Sequence, residues 1–342
     1  MIDRHHVSLE TNYMGLTLRN PVVASAGPLT QTVDGVKSLA DGGVGAVVMY
    51  SLFEEQIRRE AEAMAELEEM YEDSYAESLS FFPSVPDSDR DASHAYLTLV
   101  EESAKAIDVP LIASLNGSSM GGWTQTARRL ADAGASAIEL NIYFVPGDIF
   151  MSGSAVEERH VEIVSAVKDT VDIPVAVKLS PFFSSVGNMA LQLDAAGADG
   201  LVLFNRFLQP DIDLGRVTVE SGVSLSSPVE ARLPRTWIAV LHGKLRASLA
   251  ATTGVDTADD VIKYILAGAD VVMTTSALLR HGTAYSSVLV DGLAKWLSAR
   301  EISLSKARGL LAVPENAEAS AYEREGYVSA LHKAKETYGS LR

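Results

Sequence analysis

The stretch 132–141, DAGASAIELN, indicates how this chain folds: a helical segment ends, a glycine turns the chain, and an apolar run follows. The same pattern returns as AAGADGLVLF at 195–204 and as LAGADVVMT at 266–274. A glycine there is typical of a left-handed helix C-cap, which lets the chain leave a helix and enter a strand. Apolar runs without alternation are typical of strands buried on both faces, as in a parallel sheet covered by helices.

Working outward from these units, eight apolar runs are predicted to be strands. They lie at 21–25, 44–50, 111–115, 137–141, 175–179, 200–204, 248–252 and 270–274. Helical patterns occupy 32–41, 122–133, 156–171, 186–196 and 257–267. Eight strands that each precede a helix or a long excursion predict an α/β fold, a (β/α)8 TIM barrel. A doubly wound sheet is the competing architecture, but no Gly-x-Gly-x-x-Gly turn follows the first strand.

Two insertions and a tail interrupt this rhythm. We expect the barrel to occupy residues 1–297, with an acidic helix and loop inserted at 53–91, after strand two, and a second insertion at 206–234, after strand six. Insertions of this length after barrel strands usually cover or build the active site. The charged tail at 298–342 is predicted to be a helical extension that packs on the barrel or serves in oligomerisation.

Composition restricts the possible partners and chemistry. Of 342 residues, 47% are hydrophobic and 21% are charged, the balance of a soluble globular protein. The 45 acidic and 28 basic residues give a net charge of −17, which disfavours nucleic acid and anionic membranes as partners. Because the chain has no cysteine, disulfides, cysteine-ligated iron–sulfur clusters and a cysteine base are excluded. The charged N-terminus and the lack of a long apolar run predict a cytoplasmic protein.

Functional residues of such barrels lie at the C-terminal ends of the strands. Amides and small residues dominate these positions, with one lysine and no pair of carboxylates, a set that suits a planar heteroaromatic ring better than a metal ion. The residues are Ser25, Ala26, Gly27, Tyr50, Ser51, Asn116, Gly117, Asn141, Lys178, Asn205, Arg206, Thr253, Gly254, Thr275 and Ser276.

The turns after strands seven and eight predict a phosphate site. Thr253–Gly254 and Thr275–Ser276 each precede a helix, and small residues at helix N-termini expose backbone N–H groups to an anion. The alternative is that these residues only cap their helices.

Lys178 ends strand five among apolar neighbours, where a lysine without a role would be costly to bury. Such a lysine can stabilise a negatively charged, reduced cofactor. The alternative is a structural lysine whose stem packs on the rim while its ammonium group reaches solvent.

The chain resembles the class 1 dihydroorotate dehydrogenases and the related flavin domain of dihydropyrimidine dehydrogenase over about residues 8–295. The matching segments are GLTLRNPVVASAG (15–27), IASLNGS (112–118), AIELNIY (137–143), IPVAVKLSP (173–181), GADGLVLFN (197–205) and TTGVDTADDVIKYILAGADVVMTTSALL (252–279). The resemblance implies an FMN-dependent oxidoreductase of pyrimidine metabolism that acts on a CH–CH group.

Carried over residue by residue, the resemblance implies a flavin site at the mouth of the barrel. Catalytic roles would fall to Lys178 and Asn141. The flavin would be lined by Ser25, Ala26 and Gly27, its ring and ribityl chain would meet Tyr50, Asn116, Asn141, Lys178 and Asn205, and its phosphate would meet Thr253, Gly254, Thr275 and Ser276.

The substrate side departs from the family pattern. Phe144 stands where the family has its cysteine or serine base, in a loop about two residues shorter, and Tyr50 replaces a lysine. Losing the base predicts a loss of about 10²–10⁴-fold in the rate on dihydroorotate. Tyr143 is the candidate replacement that we carry forward, and Asn205 with Arg206 are candidates for binding an anionic substrate. Further loop candidates for a base are Asp148, Ser152, Ser154 and His160.

The glycine-rich turns also depart from that pattern. Residues 224–227 read SLSS where the family has a glycine-rich turn, and Thr253 replaces one glycine of a pair.

Three functions remain open from the sequence. The first is an FMN oxidoreductase that acts on a small anionic, pyrimidine-like substrate. The second is a flavin-binding protein without turnover that serves another redox enzyme. The third is a flavin-free phosphate-binding barrel, an isomerase or lyase. A homodimer and an electron-transfer partner protein are expected by analogy with the family.

Overall fold

The structure is a computed structural model and describes residues 7–53, 92–116, 122–142, 149–206, 210–220, 224–314, 317 and 319–339. The strands in chain order are β1 (Thr11–Tyr13), β2 (Leu16–Leu18), β3 (Val22–Ala24), β4 (Ala46–Phe53), β5 (Leu111–Asn116), β6 (Ala137–Asn141), β7 (Val175–Leu179), β8 (Gly200–Leu203), β9 (Asp211–Asp213), β10 (Thr218–Glu220), β11 (Ser248–Ala251) and β12 (Val271–Thr274).

Helices follow the barrel strands. They are α1 (Val33–Asp41), α2 (Ala92–Ala106), α3 (Gly122–Asp132), α4 (Gly153–Lys168), α5 (Val186–Ala195), α6 (Arg232–Leu241), α7 (Ala258–Ala267), α8 (Ser276–His281), α9 (Tyr285–Ala299), α10 (Leu304–Ala307) and α11 (Ala319–Tyr338). Among the described helices, none is both long and apolar enough to cross a membrane.

Strands β3 to β8, β11 and β12 form a closed parallel barrel in which β12 returns to pair with β3. This confirms the predicted (β/α)8 barrel, and each of these strands coincides with one of the eight predicted apolar runs. The three glycines of the repeated pattern, Gly134, Gly197 and Gly268, have φ of +96°, +95° and +118°. The left-handed turn between helix and strand is therefore confirmed at each repeat.

Side chains that alternate along the strands build two apolar layers. Residues such as Val48, Ile112 and Val202 fill the barrel lumen, and their neighbours pack outward against the helices. The hairpin of β1 and β2 closes the bottom of the lumen, because Tyr13 and Met14 are buried in the inner cluster. This plug was not predicted from the sequence.

The structure describes most of the second insertion but little of the first. Residues 54–91, where we expect an acidic helix followed by a loop, lie outside the described residues. The second insertion contains the β9–β10 hairpin and a 3-10 helix, Pro228–Ala231, that leads directly into α6. In the tail, Leu304 and Val313 are buried, whereas side chains at 324–333 of α11 are exposed.

Candidate active site at the mouth of the barrel

Polar side chains lie in one row at the C-terminal ends of β5, β6 and β7. Asn116 pairs in register with Asn141, and Asn141 pairs with Lys178, so the three residues are at the same level of the sheet. Asn116 and Lys178 are each only 7% exposed. The structure thus brings together three of the residues that the resemblance assigns to the flavin ring.

Lys178 is paired rather than solvated. Its Nζ lies 3.4 Å from Oε1 of Glu139, a lumen residue of β6 that is 1% exposed. An isolated buried charge costs several kcal/mol, and a counter-ion offsets part of that cost. The ammonium group is therefore buried in an ion pair. The structural alternative required it to reach solvent, and the structure does not show this. Sequence reasoning missed Glu139, although a single carboxylate inside the apolar run AIELN was a visible signal.

Asn205 supports the same row from the end of β8. Its Nδ2 donates to Oδ1 of Asn141 at 2.8 Å, which fixes the orientation of the Asn141 amide. The Asn205 backbone N–H also donates to the Leu179 carbonyl at 2.7 Å, so the residue continues the β7–β8 pairing. A held amide can present its remaining donors to a ring without first reorganising.

A β-bulge decides which side chain β4 presents to the lumen. The register of β4 against β5 shifts between Val48 and Ser51, and Ser51 Oγ lies 2.8 Å from Ser114 Oγ. The Tyr50 ring instead stands edge-on to Tyr96 of α2, with centroids 5.0 Å apart. Partial burial raises the pKa of Tyr50, so its phenol is neutral near pH 7 and can donate a hydrogen bond.

The two predicted phosphate turns meet through a third residue. The Gly254 N–H donates to Ser226 Oγ at 3.2 Å, and Ser226 Oγ donates to Ser276 Oγ at 3.0 Å. Ser276 Oγ accepts from Ser226, and its own hydroxyl hydrogen meets no acceptor among the described residues, so it can donate to a ligand. Ser226 and Ser276 are 4% and 8% exposed. The departure from the family pattern at 224–227 is visible in the sequence, but the place of Ser226 in the site is not.

Thr253 takes a backbone conformation that usually belongs to glycine. Its φ is +77°, which strains a β-branched residue, and its Oγ1 donates to the Phe204 carbonyl at 3.0 Å. The Tyr264 hydroxyl donates to the Thr253 carbonyl at 2.7 Å. These two hydrogen bonds hold the strained turn that follows β11, one against the end of β8 and the other against α7.

The ends of β3 and β12 approach each other closely at Gly27. A Cβ added to Gly27 would lie 2.5 Å from Oγ1 of Thr275, so this position has no room for a side chain. The adjacent Ser25 is 6% exposed and donates its backbone N–H to the Thr274 carbonyl at 3.0 Å. Ser25, Ala26 and Gly27 thus lie beside the β12 turn.

Arg206 is engaged by the second insertion. Its guanidinium donates to Glu230 Oε1 at 3.0 Å and to the Ser224 carbonyl. Burial alone would raise the pKa of Glu230, but hydrogen bonds from Ser227 and the charge of Arg206 lower it, so Glu230 is ionised. Arg206 therefore ties the insertion to the end of β8 in the described structure.

The loop candidates for a base differ in whether the structure describes them and in how exposed they are. Residues 143–148, which include Tyr143, Phe144 and Asp148, lie outside the described residues. Ser152 is exposed and caps α4 by accepting from the Ala155 N–H at 3.2 Å. His160 is 1% exposed, with Nδ1 2.7 Å from the Val156 carbonyl, and burial lowers its pKa. A histidine in this setting is a structural residue of α4.

Comparison with known proteins agrees with this architecture. A family described as dihydroorotate dehydrogenase matches residues 8–297. A putative dihydroorotate dehydrogenase A (fumarate) of Aeropyrum pernix is 31% identical over 219 residues, 61% of this chain and 68% of that protein. The catalytic subunit of dihydroorotate dehydrogenase B (NAD(+)) of Methanocella arvoryzae is 28% identical over 309 residues, 89% of this chain and 98% of that protein. Its counterpart in Methanothermobacter thermautotrophicus is 27% identical over 302 residues, 86% of this chain and 95% of that protein.

Proposed function

The chain belongs to the dihydroorotate dehydrogenase family, and from this premise we propose that it is an FMN-dependent oxidoreductase that acts on a small anionic, pyrimidine-like substrate. The observation that carries the proposal is the row of Asn116, Asn141 and Lys178 at the mouth of the barrel, with the charge of Lys178 buried. FMN, when bound, would supply reversible hydride acceptance.

The donor set of the mouth fits such a cofactor. Amides and one ammonium group suit the nitrogen and oxygen atoms of a flavin ring, which would be held by Asn116, Asn141 and Lys178. The hydrogen-bond chain from Gly254 through Ser226 ends in the unused hydroxyl hydrogen of Ser276, which suits a phosphate oxygen. We assign the phosphate end of FMN to this chain of residues.

In the proposed reaction the protein contributes binding, orientation and charge. Lys178 would place a positive charge near the ring, where it would stabilise negative charge on the reduced cofactor, and Asn205 keeps the Asn141 amide in one orientation. Tyr143 stays our candidate for proton transfer, and Asn205 with Arg206 stay candidates for contact with the substrate. The family's base is replaced by Phe144, so we expect the preferred substrate to differ from dihydroorotate.

The electron acceptor is proposed from the relatives. The Methanocella and Methanothermobacter proteins are named as catalytic subunits, which supports an electron-transfer partner protein for this chain. We propose that electrons leave through such a partner, since the chain itself has no cysteine to hold an iron–sulfur cluster. A homodimer is also proposed, by analogy with the family.

Purified protein mixed with FMN and then gel-filtered tests the proposal. We expect flavin absorption to co-elute with the protein and Lys178→Met to weaken FMN binding by about tenfold or more, as for loss of a charge-assisted contact. Anaerobic bleaching by candidate dihydropyrimidines would identify a substrate. Retained FMN without bleaching by any of them would favour the flavin-binding partner protein, and no FMN binding at all would overturn the proposal.

A further inference from the structure

Glu139 is a buried carboxylate to which the proposed function gives no role. It lies in the barrel lumen, 1% exposed, and its Oε1 contacts Lys178 Nζ at 3.4 Å. Its Oε2 has no hydrogen-bond partner among the described residues. An ionised carboxylate held this deep with one oxygen unpaired is costly, so its presence needs a reason beyond stability.

Among the described residues, Lys178 is the one close counter-charge of Glu139. The lumen cluster around it is made of aliphatic side chains together with Tyr13 and methionines. Burial and then the negative charge of Glu139 raise the pKa of Tyr13, so its phenol stays neutral and adds no second negative charge beside the carboxylate. In so apolar a setting the attraction between Lys178 and Glu139 is much stronger than it would be in water.

The register places Glu139 directly beneath the site. Asn141 is level with Lys178, and Glu139 is level with Ala176, one step deeper in the barrel. The carboxylate thus holds the ammonium group from below, whereas the amides of Asn116 and Asn141 lie beside the lysine at the mouth. A ligand that enters from above would meet a lysine that is already oriented.

We propose that Glu139 is a positioning residue, which keeps Lys178 charged and anchored so that it acts on the electron-rich edge of the bound ring. The inference rests on the proposed function for the identity of that ring. The state of Lys178 itself can be measured without any cofactor.

The first experiment follows the lysine in the full-length protein free of flavin. With lysine labelled with ¹³C at Cε, the Lys178 signal is assigned by its loss in Lys178→Met. We expect this signal to stay that of an ammonium group between pH 6 and 9 in the wild type and to titrate within this range in Glu139→Gln. Glu139→Asp, which keeps the charge, should behave as the wild type. An unchanged Lys178 titration in Glu139→Gln overturns the inference.

Asp270→Asn is the matched control for this experiment. Asp270 is another part-buried carboxylate that acts on Tyr13, but it pairs with Arg308 at 3.4 Å and with the Leu249 N–H rather than with Lys178. Its loss should leave the Lys178 signal unchanged. If Glu139→Gln does not fold, Glu139→Asp and the double variant Glu139→Gln/Lys178→Met report on the pair. The double variant should be more stable than Glu139→Gln, and a double variant that is less stable contradicts the pairing.

The second experiment measures the reduction potential of FMN bound to the wild type and to Glu139→Gln. We expect the variant to bind the reduced cofactor about tenfold more weakly relative to the oxidised one, which lowers the two-electron potential by about 30 mV. An unchanged potential overturns the positioning role, although the enzyme proposal stands. If the wild type binds no FMN, the enzyme proposal fails, and the lysine titration still decides whether Glu139 keeps Lys178 charged.

Discussion

Gly254 shows at the scale of one residue how closely the proposed phosphate turn is packed. Its φ is +72°, and a Cβ added there would lie 2.7 Å from the Ser227 carbonyl oxygen and from the Ala231 nitrogen. Gly15 has a similar φ of +80° in the β1–β2 hairpin but open space within 4 Å of its would-be Cβ. Comparing substitutions at these two glycines therefore distinguishes the cost of backbone strain, which both share, from the cost of close packing, which only Gly254 has.

We therefore predict that Gly254→Ala destabilises the protein more than Gly15→Ala does. Both variants carry the strain of a left-handed alanine, about 1–2 kcal/mol, but only Gly254→Ala also displaces the backbone of the insertion. Urea unfolding of the two variants measures the difference in the free energy of unfolding. FMN binding should be lost in Gly254→Ala and kept in Gly15→Ala; equal effects would show that the close approach has no importance.

His160 gives a pH prediction at the same scale. Burial lowers its pKa below the usual value of 6.5, so the unfolded chain binds a proton more readily than the folded protein. Its contribution to stability is complete above about pH 6.5 and is lost as the pH falls toward the folded pKa, by at most about 1.4 kcal/mol per pH unit.

His160→Phe should flatten this dependence, because phenylalanine keeps an aromatic contact with Phe183, now 5.2 Å from the His160 ring, without titrating. Urea unfolding at pH 7.5 and 5.5 provides the comparison. The exposed His94, changed in the same way, serves as the control and should keep the wild-type slope. A slope in His160→Phe that matches the wild type would contradict the assignment.

At the scale of elements, the end of the second insertion, residues 224–231 just before α6, contacts three parts of the barrel mouth. Arg206 holds it through Ser224 and Glu230, and Arg280 donates to the Ser226 carbonyl at 2.7 Å. Ser226 joins it to both proposed phosphate turns, through Gly254 and Ser276. Ser226 can serve the site only if this segment keeps its place.

Arg206→Ala is accordingly expected to weaken FMN binding by about three- to tenfold and to speed amide exchange at 227–231. A charge-assisted hydrogen bond contributes about 1.5–3 kcal/mol, and solvent screening at this half-exposed pair reduces that contribution. Hydrogen exchange read by mass spectrometry measures the second effect. Arg246→Ala is the control, because Arg246 pairs with Asp194 at 3.3 Å before the start of β11, at the other end of the barrel. Slower or unchanged exchange at 227–231 would refute this role.

On the scale of the whole molecule, the tail divides into a packed part and an exposed part. Leu304, Ala307 and Val313 are buried, and the Val313 N–H donates to the Ala239 carbonyl of α6 at 2.9 Å. Beyond them, the side chains at 324–333 of α11 are exposed. The apolar surface that the tail buries against the barrel is therefore contributed by the first part of the tail.

Two truncations test this division. Removing residues 315–342 should change the free energy of unfolding by less than about 1 kcal/mol, as for changes at exposed positions. Removing residues 300–342 should cost several kcal/mol, because burial of each large aliphatic side chain contributes about 1.5–3 kcal/mol. Urea unfolding followed by circular dichroism measures both. A large loss in the shorter truncation would show that α11 packs on the barrel.

The barrel itself could be predicted from the sequence, with all eight strands placed to within three residues at either end. Continuous apolar runs and left-handed glycines such as Gly134 are local signals that need no knowledge of distant residues. The short strands of the β1–β2 and β9–β10 hairpins escaped prediction because three residues are too few to show a period. The positions of Asn141 and Lys178 also followed, since strand ends of a parallel barrel converge on one face.

The tertiary structure decided what those residues contact. Tyr50 and Ser51 are neighbours in sequence, and only the bulge in β4 directs Ser51 to the lumen serine and Tyr50 to Tyr96. Glu139 is the partner of Lys178, and Ser226 contacts Gly254 and Ser276 of the two proposed phosphate turns from 28 and 50 residues away. Sequence determines which groups are available and on which strand they lie. Their pairing depends on distances between remote segments, which only the closed barrel fixes.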